Sequence, residues 1–277
     1  MPTVLLIGED ESFLAPARDV PGAPAFDVTA AAGGADALRQ VRRRAFDVVL
    51  TSPRSPVAED LSLLGELRAV RPGLRYIILA PHATKEEVVE ALRAKAFACF
   101  SEPINWADLV GLLATAFRDA DWRDSIEVRS AAPDWISLRV TSRLLTAERL
   151  TQFMRELASD QQDDTREHLA FAFREVLLNA MEHGTGFDPD LVIEVSAVRT
   201  ERTIVYYFRD PGPGFSRGHV RHAPDSSARE AVEAAMDARE EAGLRPGGFG
   251  MLIVSQLVDE VIYSEHGNEV ILIKHTG

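Results

Sequence analysis

Three polar side chains recur at helical spacing within residues 171–184, whose sequence is FAFREVLLNAMEHG. Glu175, Asn179 and His183 are each four residues apart, so they share one face of a predicted helix. Another face is an apolar, core-facing stripe formed by Leu169, Phe173, Val176, Leu177 and Ala180. A solvated flank with an ion pair is the plain alternative for such a polar row. The row therefore needs support from the rest of the chain before it counts as a site.

Two glycine-containing segments follow the polar row. Asp210-Pro-Gly-Pro-Gly-Phe215 comes first, and Gly247-Gly-Phe-Gly-Met251 comes second, directly before an apolar helical run at residues 252–258. Glycine lets the backbone turn tightly and approach a ligand, and a helix that begins just after glycines presents free N–H groups to phosphate. Ordinary turns use the same residues. Each segment alone is weak evidence, and their order along the chain matters more.

The order of these segments resembles the GHKL ATPase superfamily, with its N, G1 and G2 boxes, over roughly residues 125–277. Within that superfamily, Asn179-Ala-Met-Glu-His183 looks more like the anti-sigma-factor serine kinases than the sensor histidine kinases, which usually carry a basic residue at the position of Glu182. Residues 257–261 and 267–274 are also similar to the end of those serine kinases. The resemblance implies an α+β sandwich, the Bergerat ATP-binding fold, for residues 125–277.

The resemblance also implies roles for individual residues, with ATP and Mg²⁺ as cofactors. Glu175 would be the general base that draws a proton from a serine hydroxyl or from water, and Asn179 would offer its amide oxygen to Mg²⁺. Asp210 would accept a hydrogen bond from the adenine amino group, and His183 would contact phosphate or only pack. The glycines implied beside the base are Gly212 and Gly214, and those implied at the triphosphate are Gly247, Gly248 and Gly250.

Residues 216–246 form a long insertion where the superfamily has its ATP lid. Residues 227–242 have high helix propensity, with Glu and Arg at helical spacing and a thin apolar stripe. A solvated helix explains most of this pattern. The insertion is longer than a compact anti-sigma kinase needs, and lids of this kind commonly gate such sites.

The remaining elements of the second half are expected to position these residues. Residues 126–140 carry strand-like segments, and residues 146–158 carry an amphipathic helix with Thr146 as a plausible N-cap. Residues 191–198 and 203–209 are alternating apolar and β-branched runs that predict a hairpin. The second strand of that hairpin would bring Asp210 to its end.

The first half, residues 1–121, alternates short apolar runs with amphipathic helical patterns. Buried strands are predicted at residues 4–7, 46–50, 76–79 and 98–100, and helices at residues 35–44, 60–70, 85–95 and 106–117. This rhythm predicts an α/β doubly wound parallel sheet, whose ligand site would lie at the carboxyl ends of the strands. The residues expected at those ends are Glu9, Asp10, Ser52, Ala80 and Glu102.

This pattern resembles the receiver domain of two-component response regulators, of flavodoxin-like fold, over about 120 residues, but it departs from the family at the reactive positions. Ser52 stands where the family has its phosphate-accepting Asp, Ala80 where it has Thr or Ser, and Glu102 where it has Lys. Without the carboxylate nucleophile the phosphoryl group has no acceptor. We therefore expect a pseudo-receiver that passes signals through protein contact. Glu9 and Asp10 could still hold a divalent ion, and Ser52 is an alternative phosphorylation site.

Composition narrows the possible partners and compartments. A formal net charge of -13 argues against direct binding of nucleic acid, which requires a basic face. The single cysteine, Cys99, lies in an apolar stretch and predicts a buried thiol in a reducing cytoplasm. No segment has the start of a signal peptide or the roughly 20 apolar residues of a membrane span. We expect a cytoplasmic protein without membrane contact.

Together these patterns predict a signalling regulator that binds Mg-ATP and phosphorylates a serine or threonine of a partner resembling an anti-sigma-factor antagonist. The same surface could also bind a sigma factor, and the chain could form a homodimer. The alternative hypothesis is a non-catalytic ATP-binding adaptor, in which the lid and the pseudo-receiver recruit partners. An ordinary phosphorylated response regulator with an ATPase output is disfavoured by Ser52.

Overall fold

The computed structural model describes residues 1–118, 122, 125–214 and 250–276, and these fall into two compact units. Unit 1 comprises residues 1–133 and 145–160, and unit 2 comprises residues 134–144 and 161–277. Within the described ranges, every helix is too short or too polar to cross a lipid bilayer.

Unit 1 contains a parallel sheet of five strands in the described residues, in the order β2-β1-β3-β4-β5. The strands are β1 (Thr3–Ile7), β2 (Asp27–Ala31), β3 (Val48–Leu50), β4 (Arg75–Ala80) and β5 (Ala98–Ser101). Between and after them lie a 3₁₀ turn (Glu11–Leu14) and the helices α1 (Ala15–Arg18), α2 (Gly34–Arg43), α3 (Val57–Val70), α4 (Lys85–Arg93) and α5 (Trp106–Arg118). This is the flavodoxin-like strand order, so the predicted doubly wound fold is confirmed.

The strand that the sequence pattern did not locate is β2, Asp27–Ala31. It lies at the edge of the sheet, and most of its side chains are partly exposed, whereas β3 and β4 are buried along their whole length. Central parallel strands produce continuous apolar runs because both of their faces are covered. An edge strand lacks that signal, which is why β2 was missed.

The core of unit 1 is formed by the central strands and the apolar faces of the helices. Cys99 lies inside it with 0% of its surface exposed, which confirms the expected buried thiol. Burial raises the pKa of this thiol well above its ordinary value, so it is held in the neutral form.

Two later elements pack into unit 1 as well: β6 (Ile126–Ala132) and α6 (Leu144–Leu157). Arg149 Nε of α6 donates to the Phe97 carbonyl at 2.9 Å, and Gln152 Nε2 donates to the Cys99 carbonyl at 2.9 Å. These carbonyls lie at or beside β5, the other edge of the sheet. The side chains of α6 therefore satisfy edge groups that would otherwise be open to pairing.

The expected N-cap of α6 was wrong. The helix begins at Leu144, two residues before Thr146, which is buried inside the first turn. Leu145 belongs to the hydrophobic core of unit 1. Burial of this side chain favours a helix that starts earlier than the capping pattern indicated.

Unit 2 is built on an antiparallel sheet. Within the described residues of the unit, the strand order is β10-β11-β9-β8-β7. These strands are β7 (Trp135–Thr141), β8 (Val192–Arg199), β9 (Thr203–Arg209), β10 (Glu260–Tyr263) and β11 (Glu269–His275). Helices α7 (Asp163–Asn179) and α8 (Gly250–Leu257) complete the described part of the unit. The predicted hairpin of β8 and β9 and the antiparallel α+β architecture are confirmed.

One face of this sheet packs on α7. The Phe173 ring lies 5.0 Å from the ring centroids of both Tyr206 and Phe208, which belong to β9. These three side chains are buried and fix the helix against the strand. Because of this packing, the polar row of α7 lies beside the carboxyl end of β9.

The α-helical path of α7 ends at Asn179, and Ala180–Gly184 continues as a single π-helical turn. The Thr185 hydroxyl anchors this turn by hydrogen bonding to the Met181 carbonyl at 2.7 Å and to the Ser142 hydroxyl at 2.5 Å. The continuous α-helix predicted through residue 184 is therefore corrected at its last turn. Single π-helical turns of this kind often occur at functional sites.

Candidate functional site

A cavity of about 210 Å³ lies in unit 2, between α7, the end of β9, the start of α8 and the strands β10 and β11. Its walls combine apolar side chains with a few polar groups and several glycines. The lining residues are Val176, Asn179, Ala180, His183, Gly184, Phe208, Asp210, Gly214, Gly250, Met251, Tyr263, Gly267, Asn268 and Val270. An apolar hollow with a few convergent polar groups is the usual form of a small-molecule site.

Asp210 is held at the cavity by hydrogen bonds with Asn268 and Gly212. Its amide donates to the Asn268 carbonyl at 3.1 Å, and the Asn268 side-chain amide donates to the Asp210 carbonyl at 3.2 Å. Its carboxylate accepts a hydrogen bond from the Gly212 amide at 2.8 Å. Burial raises the pKa of this carboxyl, because lost hydration penalises the charge. A ligand group that donates a hydrogen bond would offset that penalty.

Two glycines allow close approach at the wall of the cavity. A Cβ atom at Gly184 would lie 2.2 Å from the Asp210 carboxyl carbon. Gly214 has a φ of +71°, and a Cβ there would lie 1.8 Å from the His266 carbonyl oxygen. A larger residue at Gly184 would displace the Asp210 side chain, and a larger residue at Gly214 would displace the backbone at His266.

Glu175 lies beside the cavity, at the start of α8. Its Oε2 atom would lie 2.5 Å from a Cβ atom at Gly250, so the carboxylate rests directly on that glycine. The side chain is 17% exposed, and its Oε1 is 3.6 Å from Arg174 Nη1. Asn179 follows one turn later on α7 and lines the cavity itself. An acid, an amide and the first residue of helix α8 therefore lie side by side.

The structure brings most of the predicted site residues together. Those that line the cavity are Asn179, His183, Asp210, Gly214 and Gly250. Glu175 contacts the cavity wall through Gly250, and Gly212 contacts it through Asp210. Gly247, Gly248 and the lid predicted at residues 216–246 lie outside the described residues.

Some residues of the cavity carried no predicted role. Asn268 holds the backbone of Asp210, and Tyr263 and Val270 form the wall on β10 and β11. The segment that contains Asn268 was noticed only for its similarity to the end of the serine kinases. Its position opposite Asp210 depends on the pairing of β9 with β11, which joins residues about sixty positions apart and has no local signal.

The strand ends of unit 1 present a different arrangement. The Ser52 hydroxyl donates to Glu9 Oε1 at 2.7 Å, and Arg54 Nε lies 3.1 Å from the same oxygen. The Arg54 amide also donates to the Ser52 hydroxyl at 3.0 Å. The Glu9 side chain is 8% exposed, so its charge is satisfied by these two neighbours instead of by solvent.

The other residues expected at the strand ends are Asp10, Ala80 and Glu102. The Asp10 carboxylate accepts hydrogen bonds from the Ser12 hydroxyl and from the Ser12 amide, the latter at 2.8 Å, and so caps the following 3₁₀ turn. These two bonds lower the pKa of Asp10. Ala80 is buried, and Glu102 is exposed beside a cis bond to Pro103. In the described ranges, no group of three His, Cys, Asp or Glu side chains is placed to hold a metal ion.

Comparison with known proteins finds a different family for each half of the chain. Residues 4–114 match the response regulator receiver domain, and residues 140–274 match the histidine kinase-like ATPase domain. The transcriptional regulatory protein ZraR of Escherichia coli O157:H7 is 32% identical over 91 residues, which are 33% of this chain and 21% of that protein. GlrR of Escherichia coli K12 is 28% identical over 111 residues, 38% of this chain and 25% of that protein. The chain thus matches about a quarter or less of these relatives' length.

Solved structures include similar chains. A CheY-like receiver domain protein from Methanospirillum hungatei JF-1 has 23% identity and a TM-score of 0.37, with 43% of this chain and 96% of that chain covered.

Proposed function

We propose that this chain, in which a response regulator receiver domain is followed by a histidine kinase-like ATPase domain, binds Mg-ATP and transfers phosphate to a hydroxyl group of a protein partner. The observation that carries the proposal is the convergence of Asn179 and Asp210 on one cavity, with Glu175 resting on its wall at Gly250.

The residues of the cavity fit a purine nucleotide. Asp210 is a half-buried acceptor, and an exocyclic amino group is the kind of donor that would satisfy it. Phe208, Val270 and Met251 offer apolar surface for a flat base. The volume of about 210 Å³ is below the roughly 300–1,000 Å³ of a complete ligand pocket. The described residues therefore suit the base and its sugar better than the whole nucleotide.

The residues also fit magnesium in the form that accompanies a nucleotide. Mg²⁺ usually takes one or two protein oxygens and completes its shell with water and phosphate oxygens. The Asn179 amide oxygen would be such a ligand, and a cluster of three acids is not required. When bound, the ion supplies charge neutralisation for the phosphates.

Glu175 would act as the proton acceptor. Its carboxylate lies at the start of α8, where phosphate groups are favoured by free N–H groups and by the helix dipole. A hydroxyl placed between Glu175 and the terminal phosphate could lose its proton as it attacks, and such general-base help is worth about 10²- to 10⁴-fold in rate. The neighbouring Arg174 keeps the carboxylate in contact with a positive charge.

The partner class follows from the resemblance of residues 179–183 to anti-sigma-factor serine kinases. Glu182, exposed in the π-helical turn, occupies the position where histidine kinases usually carry a basic residue. We therefore infer a serine or threonine of an anti-sigma-factor antagonist-like protein as the acceptor. A sigma factor is the second partner that we propose, and we propose that the protein acts in the cytoplasm.

The test uses the full chain with γ-labelled ATP, Mg²⁺ and a purified protein of the anti-sigma-factor antagonist type. We expect label on a serine or threonine of that protein. Glu175→Gln should retain ATP affinity within about 3-fold and lower the transfer rate by about 10²- to 10⁴-fold. The matched control is Glu167→Gln, an exposed acid on the same helix, which should transfer at the normal rate.

Two other outcomes have definite meanings. Normal transfer by Glu175→Gln would show that this carboxylate is not the base. Binding of ATP without transfer by the unsubstituted chain would favour the alternative proposal, a non-catalytic adaptor whose nucleotide changes only its affinity for partners.

A further inference from the structure

The loop at residues 185–191, which follows the π-helical turn, holds a phenylalanine in a backbone conformation that phenylalanine rarely adopts. Phe187 has a φ of +57°, and Gly186 before it has a φ of +61°. The Asp188 amide donates to the Thr185 carbonyl at 3.1 Å, which closes a four-residue turn around these two residues. Two central residues with positive φ are typical of a type I′ turn, in which glycine, asparagine and aspartate are the usual residues.

The contacts that hold this turn do not require a phenylalanine. The Phe187 amide donates to the Met181 carbonyl at 2.8 Å, and this bond uses only the backbone. The Phe187 side chain is 38% exposed, so it gains only part of the stabilisation that it would have in a core. Glycine or asparagine would fit the left-handed backbone with less strain. An aromatic side chain that stays exposed at a strained position indicates a role beyond the fold.

A second segment of unit 2 runs beside this loop. The Thr185 hydroxyl bonds to the Ser142 hydroxyl at 2.5 Å, and both side chains are buried. Strands β7 and β8 are paired up to Thr141 and Val192, the residues next to these segments. Residues 142–144 therefore lie beside residues 185–191, within the same unit.

The two segments carry exposed apolar side chains. Leu144 is 47% exposed, and Phe187 and Leu191 are each 38% exposed. Pro189, between the last two in the sequence, is exposed as well. We call these four residues the Phe187 patch. Exposed apolar side chains that are grouped in this way are typical of a protein-binding surface.

The residues around the Phe187 patch are mainly acidic. Glu182, Asp188 and Asp190 are exposed, and within residues 142–144 and 182–191 these three acids accompany one arginine, Arg143. The Asp188 carboxylate accepts a hydrogen bond from the Asp190 amide at 2.9 Å, which fixes it beside the patch. A negative rim repels nucleic acid and anionic lipid, and it attracts cationic side chains.

We propose that the Phe187 patch is a docking surface for a protein segment whose apolar side chains are flanked by lysines or arginines. Phe187 is the central anchor, because aromatic side chains often dominate the binding energy of an interface. The acidic rim pairs with the flanking cations and orients the segment. In the part of unit 2 that the structure describes, other residues line the cavity of about 210 Å³, so the proposal holds whether or not phosphate is transferred there.

Fluorescence anisotropy of the full chain with a labelled synthetic peptide tests the proposal. The probe is a peptide of about 18 leucines and lysines, with the leucines on one face of a helix. The reference is the same peptide with glutamate in place of lysine. In salt of about 0.15 M we expect saturable binding of the lysine peptide, and binding of the glutamate peptide that is at least about 10-fold weaker.

Phe187→Asn separates docking from folding. Asparagine tolerates the left-handed conformation, so the variant should melt within about 4 °C of the wild type. The dissociation constant for the lysine peptide should nevertheless rise at least about 10-fold, because the anchor is gone. Phe171→Ala removes another exposed phenylalanine of unit 2, on α7, and is the matched control. It should bind the peptide normally.

The acidic rim is tested by removing two charges without changing the shape of the side chains. Asp188→Asn with Asp190→Asn should weaken binding of the lysine peptide at least about 5-fold, because both charges lie at the patch. Asp164→Asn with Glu201→Gln removes two charges from exposed positions elsewhere in unit 2, and it should weaken binding less than about 2-fold.

Three outcomes would overturn the proposal. The first is the absence of saturable binding with the lysine peptide at up to about 1 mM. The second is full affinity in Phe187→Asn. The third is equal weakening by the two double charge variants, because the peptide would then respond only to the net charge of -13.

Discussion

The two candidate sites of this protein differ in what their polar groups contact. At the strand ends of unit 1, Glu9 is held by Ser52 at 2.7 Å and by Arg54 at 3.1 Å. In unit 2, Asp210 is fixed through its backbone by Asn268, while its side chain borders a cavity of about 210 Å³. One acid is neutralised by neighbouring side chains, and the other is neutralised only in part.

We propose that the first site no longer accepts phosphate and that the second site binds a ligand. A receiver that accepts phosphate needs a free carboxylate and a bound cation, whereas the guanidinium of Arg54 already lies against the remaining acid. In a binding site without its ligand, some polar groups lack a full set of hydrogen-bond partners. Burial raises the pKa of Asp210, as expected for a carboxylate in such a site. Substitutions should therefore affect binding in unit 2 and little beyond stability in unit 1.

Among the effects on ligand affinity and stability, the largest is expected for nucleotide binding by Asp210→Asn. The amide oxygen can still accept from the Gly212 amide, but it removes a charged acceptor from the cavity. A hydrogen bond to a charged group is worth about 1.5–3 kcal/mol, so the affinity for ADP should fall about 10- to 100-fold in calorimetric titration. Thermal stability should be unchanged or slightly higher, because the buried charge is gone.

The matched control for that measurement is Asp164→Asn, which changes an exposed acid in the first turn of α7. It should bind ADP normally. If Asp210→Asn kept full affinity, the cavity would not be the base-binding site, and the contrast between the two halves would lose its main support.

The sequence was most informative where a local pattern decides the structure. The continuous apolar runs of β3, β4 and β5 and the alternating runs of β8 and β9 were located because burial of one or both faces leaves a direct trace. Asp210 was identified because Asp210-Pro-Gly-Pro-Gly214 resembles a motif of the GHKL superfamily. Such local patterns can be recognised without knowledge of how distant segments pack.

The sequence was least informative where distant segments meet. The contact of Glu175 with Gly250 joins residues 75 positions apart, and the pairing of β11 with β9 places Asn268 at Asp210. The Arg54 contact with Glu9 has the same origin, because parallel strands β1 and β3 bring their ends together. The fold class predicts that the strand ends lie close together. It does not predict that Arg54, instead of a metal ion, lies next to Glu9.

A smaller effect is expected on the pH dependence of stability, and it arises from Asp60, a buried acid on α3 in unit 1. Burial raises the pKa of this carboxyl to about 7 from its ordinary value of 3.8, and a hydrogen bond from Thr51 opposes the shift only in part. Between about pH 4 and pH 7 the folded state keeps the proton and the unfolded state does not. The free energy of unfolding therefore falls as the pH rises through that window.

Asp60→Asn removes this dependence, because the amide is neutral throughout. The melting temperature of the variant minus that of the wild type should increase by at least about 2–4 °C from pH 4.5 to pH 8. This change corresponds to about 1 kcal/mol. Glu66→Gln, an exposed acid on the same helix, serves as the control and should follow the wild type. Parallel curves for Asp60→Asn and wild type would mean that the carboxyl titrates normally.

The smallest expected effect is at Arg54. Its side chain is 81% exposed, so its ion pair with Glu9 should contribute no more than about 1 kcal/mol, and Arg54→Ala should lower the melting temperature by at most about 4 °C. Arg39→Ala, which breaks the exposed pair with Asp36 at 3.0 Å, is the matched control and should behave alike. With nucleotide absent, 10 mM Mg²⁺ should leave the wild-type melting temperature unchanged, because Arg54 and Ser52 already satisfy Glu9. A stabilisation by Mg²⁺ that the variant loses or enhances would show that the strand-end acids still take part in cation binding, and the two halves would then resemble each other more than their contacts indicate.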